Sequence, residues 1–171
     1  MTGPEVFSLA CVFFALALAV SHRAWAAQAA PAVRLTIAGD VSMPITLTAA
    51  DLQSMTRTRV ETNDDIRTIV YEGVLVGEVL KRAGAPLGEA LRGDALASYV
   101  VASATDGYQV VFSLAELDAE FASNDIIVAD TIDGKPLVAG QGPFRIVAPK
   151  DSRAARSIRM LERLEVVRLR K

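Results

Sequence analysis

The chain has 171 residues, 51% of them hydrophobic and 22% charged, with a formal net charge of −2. That is the composition of one globular domain with enough apolar residues for a core, and it excludes a disordered, collagen-like or multi-pass membrane protein. Its one cysteine, one histidine and one tryptophan (Cys11, His22 and Trp25) all fall within the first 26 residues, so the remainder offers no disulfide, thiol nucleophile, Cys/His zinc site, Ser-His-Asp triad or histidine-ligated haem.

Phe7 to Val20 is an uncharged apolar run, shorter than the roughly 20 residues a membrane span needs. Ala24-Trp25-Ala26 follows it as a small-x-small site. Residues 1–26 are therefore expected to be a signal peptide, cleaved after Ala26 or Ala29, with export to the periplasm; an uncleaved anchor is the alternative. The leading Met-Thr-Gly-Pro-Glu departs from the pattern in having no Lys or Arg. Residues 27–32 read as a linker and 33–171 as one domain.

Within that domain the alternation of apolar and polar residues predicts strands over 33–37 and 44–47. Thr48-Ala49-Ala50-Asp51 is a capping-box variant that opens a short helix through Met55. Strands follow over 57–62 and 67–71, with a turn at 63–65. Val76, Val79, Leu80 and Ala83 recur at helical spacing within 74–83, and Gly84 stops that helix. Strands over 98–104 and 108–112 are joined at Asp106-Gly107, a hairpin signal. Ser113-Leu114-Ala115-Glu116 is a full capping box, predicting a helix to about Phe121. Strands over 126–131 and 144–148 and one or two strands within 157–168 complete an α+β domain of mixed short strands with two or three short helices.

Charge is unevenly spread. Residues 150–171 hold eight basic and three acidic residues, net +5, whereas residues 27–149 hold nine basic and sixteen acidic, net −7. A basic end on an acidic body implies an anion site or an intramolecular charge match. The net acidity argues against nucleic acid as a partner.

Three segments together resemble the sulfite-oxidase-type oxidoreductase molybdopterin-binding domain family. They are Tyr71-Glu72-Gly73-Val74-Leu75-Val76-Gly77-Glu78-Val79-Leu80 through Gly84, Asp106-Gly107-Tyr108 with Phe112-Ser113-Leu114, and residues 126–161. The resemblance implies that family's α+β fold. It also implies a molybdopterin or reduced-pterin ligand held by the cofactor-binding residues Asp106, Gln141, Arg145, Ser157, Ile158 and Arg159. Arg145 matches the arginine that touches the pterin in catalytic relatives, or else forms a structural ion pair. Ser157-Ile158-Arg159 matches the triplet that holds the phosphate or ring, with Arg153 and Arg156 alongside. Asp106 suits the N–H edge of a pterin but is also an ordinary turn residue. Gln141 stands roughly where catalytic relatives carry histidine. Tyr71 and Tyr108 are candidates for stacking on a flat ring or for packing.

Catalytic relatives ligate molybdenum through a cysteine in the loop that corresponds here to Glu61-Thr62-Asn63-Asp64-Asp65, which has none. Protein-ligated molybdenum is therefore not expected, since the metal wants a soft thiolate donor. The resemblance is to the short, exported, cysteine-free branch. It implies a non-catalytic pterin-binding module that acts through a membrane-protein or periplasmic partner. The alternatives are a molybdopterin-dependent oxidoreductase or its subunit, and a degenerate protein-interaction domain.

Overall fold

The computed structural model describes residues 33–64 and 66–169; the expected signal peptide and linker lie outside them. Alternating Leu35 and Ile37 make β1 (Leu35–Gly39), which turns into the short β2 (Ile45–Leu47). Helix α1 (Ala49–Gln53) starts at the predicted capping box. The Thr48 hydroxyl accepts from the Asp51 amide, while the Thr48 amide and hydroxyl both donate to the Asp51 carboxylate. Those hydrogen bonds hold the Asp51 pKa below its ordinary value. β3 (Thr58–Asn63) and β4 (Thr68–Leu75) form a hairpin. β4 runs four residues past the strand predicted over 67–71, because Tyr71 to Leu75 pair with Ile132 to Ile127. Helix α2 (Val76–Arg82) consequently starts at Val76 and buries Val76, Val79 and Leu80, the spacing read from the sequence.

β5 (Ser98–Ala104) and β6 (Gln109–Ser113) flank the Asp106-Gly107 turn as predicted. Both hydrogen bonds of the Ser113–Glu116 capping box form. They start only a three-residue 3-10 turn, Ala115–Leu117, and not a helix to Phe121. The buried Asp118 takes an extended conformation and spends its carboxylate on the amides of Gly88 and Glu120, which ends the turn. β7 (Ile127–Ile132), β8 (Lys135–Pro136) and β9 (Arg145–Val147) follow, and β10 (Leu161–Arg168) is the last strand. Residues 157–160 are not strand; they link the 3-10 turn Ala154–Arg156 to β10.

One sheet has the order β2-β1-β10-β5-β6, with β1 and β10 parallel and the other neighbours antiparallel. The second has the order β3-β4-β7-β8, with β9 also pairing β7. The main core joins both sheets: Leu35, Ile37, Val100 and Leu164 from the first meet Val74, Val128 and Ile146 from the second, together with α2. Alternation along β4, β7 and β9 sends Tyr71, Ile127, Ala129 and Val147 to the opposite face, where they form a smaller cluster.

Gly73 sits at a register shift between β4 and β7, where a β-carbon would come within 2.0 Å of the Val128 carbonyl oxygen. Gly73→Ala forces strand separation. It is expected to cost at least about 1–3 kcal/mol, the usual penalty of core overpacking, read as a fall in the urea midpoint. An unchanged midpoint would show that this strand pair is looser than described.

Candidate functional site

The site is built where the β5–β6 hairpin meets the segment before β10. At the hairpin turn the exposed Asp106 accepts the Tyr108 amide through one carboxylate oxygen, at 3.0 Å, an ordinary turn contact that leaves the other oxygen open. The Tyr108 hydroxyl donates to the Ala155 carbonyl at 3.0 Å and holds the 3-10 turn against the hairpin. Between them lies a cleft of about 290 Å³, walled by Asp106, Tyr108, Ala155, Ser157, Ile158 and Arg159. Four of the six residues expected to hold a cofactor thus share one cleft.

Their capacities differ. Ser157 Oγ accepts the Ala148 amide at 3.1 Å, so its hydroxyl proton is left to donate. Ile158 is 2% exposed, and its amide and carbonyl are taken by the Arg156 carbonyl and the Ile146 amide. It therefore supplies apolar wall and no polar contact. Arg159 is exposed and has no ion pair among the described residues. Tyr108, half-exposed, presents a ring to the same cleft.

Arg145 and Gln141 do not line the cleft. Arg145 projects from β9 into the smaller cluster, with its guanidinium 4.8 Å from the Tyr71 ring centre. It donates to the Tyr71 hydroxyl at 3.0 Å and to the Ser157 carbonyl at 3.5 Å, so it grips the cleft's wall from behind. The expected alternative of an ion pair is not what forms. Among the described residues no carboxylate pairs with Arg145, and its Nε is buried without a partner. Burial pushes its pKa down; Tyr71 opposes that shift and Arg159 adds to it. Gln141 meets the same segment through its backbone, its carbonyl accepting the Met160 amide at 3.2 Å, while its Oε1 is buried and unpaired. Tyr71, committed to Arg145 and 5% exposed, is unavailable for stacking on a ligand.

Arg156 also leaves the anion-site set. It makes a bidentate pair with Asp151 at 2.8 Å, reaches Glu116 at 3.1 Å, and lies over the Phe112 ring. Its hydrogen bonds to Asp151 are the main cause of a pKa raised above the ordinary arginine value. Lys150, Arg163 and Arg168 pair with Asp125, Glu165 and Asp40. Four of the six described basic residues of the C-terminal segment are thus paired within the domain. Of these six, Arg153 and Arg159 alone have no ion pair.

Residues 61–64 fall on the β3–β4 hairpin, where Asp64 accepts the amides of Ile66 and Arg67. None of these residues lines the cleft. Among the described residues no three His, Cys, Asp or Glu side chains are grouped to hold a metal ion.

A buried guanidinium with no counter-charge costs desolvation that its two neutral acceptors only partly offset. Arg145→Met, which keeps most of the volume, is therefore expected to leave the urea midpoint unchanged or to raise stability by up to about 2 kcal/mol. A marked fall would mean that the fold, and not a ligand, requires the charge.

Compared with known proteins, residues 22–171 match the oxidoreductase molybdopterin binding domain. Among solved structures the chain is similar to the sulfane dehydrogenase SoxCD from Paracoccus pantotrophus, with a TM-score of 0.61 and 18% sequence identity. The similarity covers 78% of this chain and 37% of that one, so the chain spans well under half the length of that relative and shares its fold. No curated protein matches the chain. The sheet order, the hairpin cleft and a family match that takes in every described residue lead to one conclusion: the chain belongs to the oxidoreductase molybdopterin binding domain family.

Proposed function

We propose that this domain is a non-catalytic pterin-binding module, exported to the periplasm and read out by a partner protein. The observation that carries the reading is the donor set around the cleft. Asp106 offers an open carboxylate oxygen, Ser157 a free hydroxyl proton and Arg159 an unpaired guanidinium, around a half-exposed tyrosine ring. A pterin presents an N–H edge for a carboxylate, a flat ring for an aromatic face and, in its phosphorylated form, an anion for arginine. The buried, unpaired Arg145 Nε and Gln141 Oε1 behind the same segment are a donor and an acceptor still to be satisfied. Their partners would be groups of the ligand or water that reach past Ser157.

The residues do not fit protein-ligated molybdenum. The cofactor's dithiolene supplies two thiolates, and the third comes from a protein cysteine in the catalytic pattern. Cys11 is the one cysteine of the chain and lies within the proposed signal peptide. What the domain itself contributes is recognition: Asp106 orients the ring edge, Tyr108 covers its face and Arg159 neutralises the anionic end.

A reduced pterin such as tetrahydropterin is expected to raise the melting temperature of the purified domain. Asp106→Ala and Arg159→Ala should each weaken binding roughly 10- to 100-fold, since a charge-assisted hydrogen bond contributes about 1.5–3 kcal/mol. Titration calorimetry checks the affinities. No shift with reduced pterins, or an affinity in both variants unchanged from the parent, would contradict the reading.

A further inference from the structure

We propose that a second, larger groove on this domain docks an extended segment of a partner protein in which lysine or arginine side chains alternate with apolar ones. The groove has a volume of about 500 Å³ and runs between the start of α2, the turn at 87–89 and the loop 116–126. Its floor is apolar: Leu75 and Leu87, half-buried, lie over the buried Leu117 and Ile126. The close approach that shapes it is enforced at Gly77, where a β-carbon would come within 2.4 Å of the Leu117 carbonyl oxygen.

Six acidic residues line the groove, Glu78, Glu89, Glu116, Asp118, Glu120 and Asp125, against one ammonium, Lys81; the Asp118 carboxylate is buried on the Gly88 and Glu120 amides. Glu116 is neutralised by Arg156, and Asp125 lies 3.9 Å from Lys150. The other four have no cation within ion-pair distance among the described residues. Three of them, Glu78, Glu89 and Glu120, are exposed. A rim this acidic repels an anionic cofactor. Nor do its carboxylates converge: among the described residues none form the three-member group that a metal ion requires. Charges spread along the edges of an apolar trough complement a chain that carries cations at intervals and apolar side chains between them.

The groove stands apart from the cleft, and its test involves no pterin, so either reading can fail alone. The probe is a fluorescein-labelled hexapeptide alternating leucine and lysine, titrated by anisotropy into the full chain. The combined variant Glu78→Gln, Glu89→Gln and Glu120→Gln is compared with a charge-matched control, Glu61→Gln, Asp94→Asn and Glu162→Gln, on exposed residues outside the groove. The groove variant is expected to bind at least about 10-fold more weakly and the control within about 2-fold of the parent, since each exposed charge contact contributes up to about 1 kcal/mol. A peptide with serine in place of leucine should also bind at least about 10-fold more weakly. The proposal is overturned if the parent does not bind the peptide, if both variants weaken it equally, or if the serine peptide binds as well. It is also overturned if spermine displaces the peptide at equal affinity, which would make a small polycation the occupant. Self-association of the chain through this face, lost in the groove variant by sedimentation, would likewise overturn it in favour of a second copy.

Discussion

A guanidinium buried without a counter-charge governs the arrangement of this domain's candidate site. Arg145 leaves β9 on the face opposite the main core, rests on the Tyr71 ring, and spends its hydrogen bonds on the Tyr71 hydroxyl and the Ser157 carbonyl. Water would satisfy all five of its N–H donors; here a ring face, a hydroxyl and a carbonyl do part of that work. The contact with Ser157 ties the second sheet to the irregular segment that walls the cleft. The Ile146 amide, bonded to the Ile158 carbonyl, and the Ala148 amide, bonded to Ser157 Oγ, hold the same segment, and Arg145 adds to these ties without lining the cleft. Such an arrangement costs stability.

Arg156 is the opposite case, only one residue before Ser157. It is fully matched, by Asp151 and Glu116, and stacked on Phe112. Its pairing with Glu116 joins the cleft's segment to one wall of the acidic groove. The sequence's charge asymmetry is resolved by the same pairings. Lys150, Arg156 and Arg168 pair with acids of the body and Arg163 with Glu165 of its own segment, Arg159, unpaired among the described residues, lines the cleft, and uncompensated carboxylates collect at the groove.

What could be read from the sequence was local. The Thr48–Asp51 capping box, the spacing of Val76, Val79 and Leu80, and the Asp106-Gly107 hairpin each depend on residues within a turn or two of one another. The helix expected after Ser113 failed because Asp118 bonds to Gly88, thirty residues away. Tyr71 and Arg145 are 74 residues apart and Arg156 and Glu116 are 40 apart, so no periodicity could disclose that one arginine is unpaired and the other spent. The family resemblance grouped Asp106 with the 157–159 segment, and the structure sets them around one cleft. It grouped Gln141 and Arg145 with them, and neither of these two lines the cleft. The acidic groove had only a weak trace, the density of carboxylates between Glu116 and Asp125.

The proposal is that this molybdopterin-binding-type fold holds a pterin without a protein thiolate. Family membership and fold rest on the match over residues 22–171 and on the SoxCD-like topology. The functional reading rests on residue chemistry, with the one cysteine at position 11. Native mass spectrometry of the protein recovered from its own cells, combined with elemental analysis of the same sample, tests that claim most directly. The account predicts an added mass that dissociates as a pterin, with molybdenum far below one atom per chain. Molybdenum at one atom per chain would contradict it.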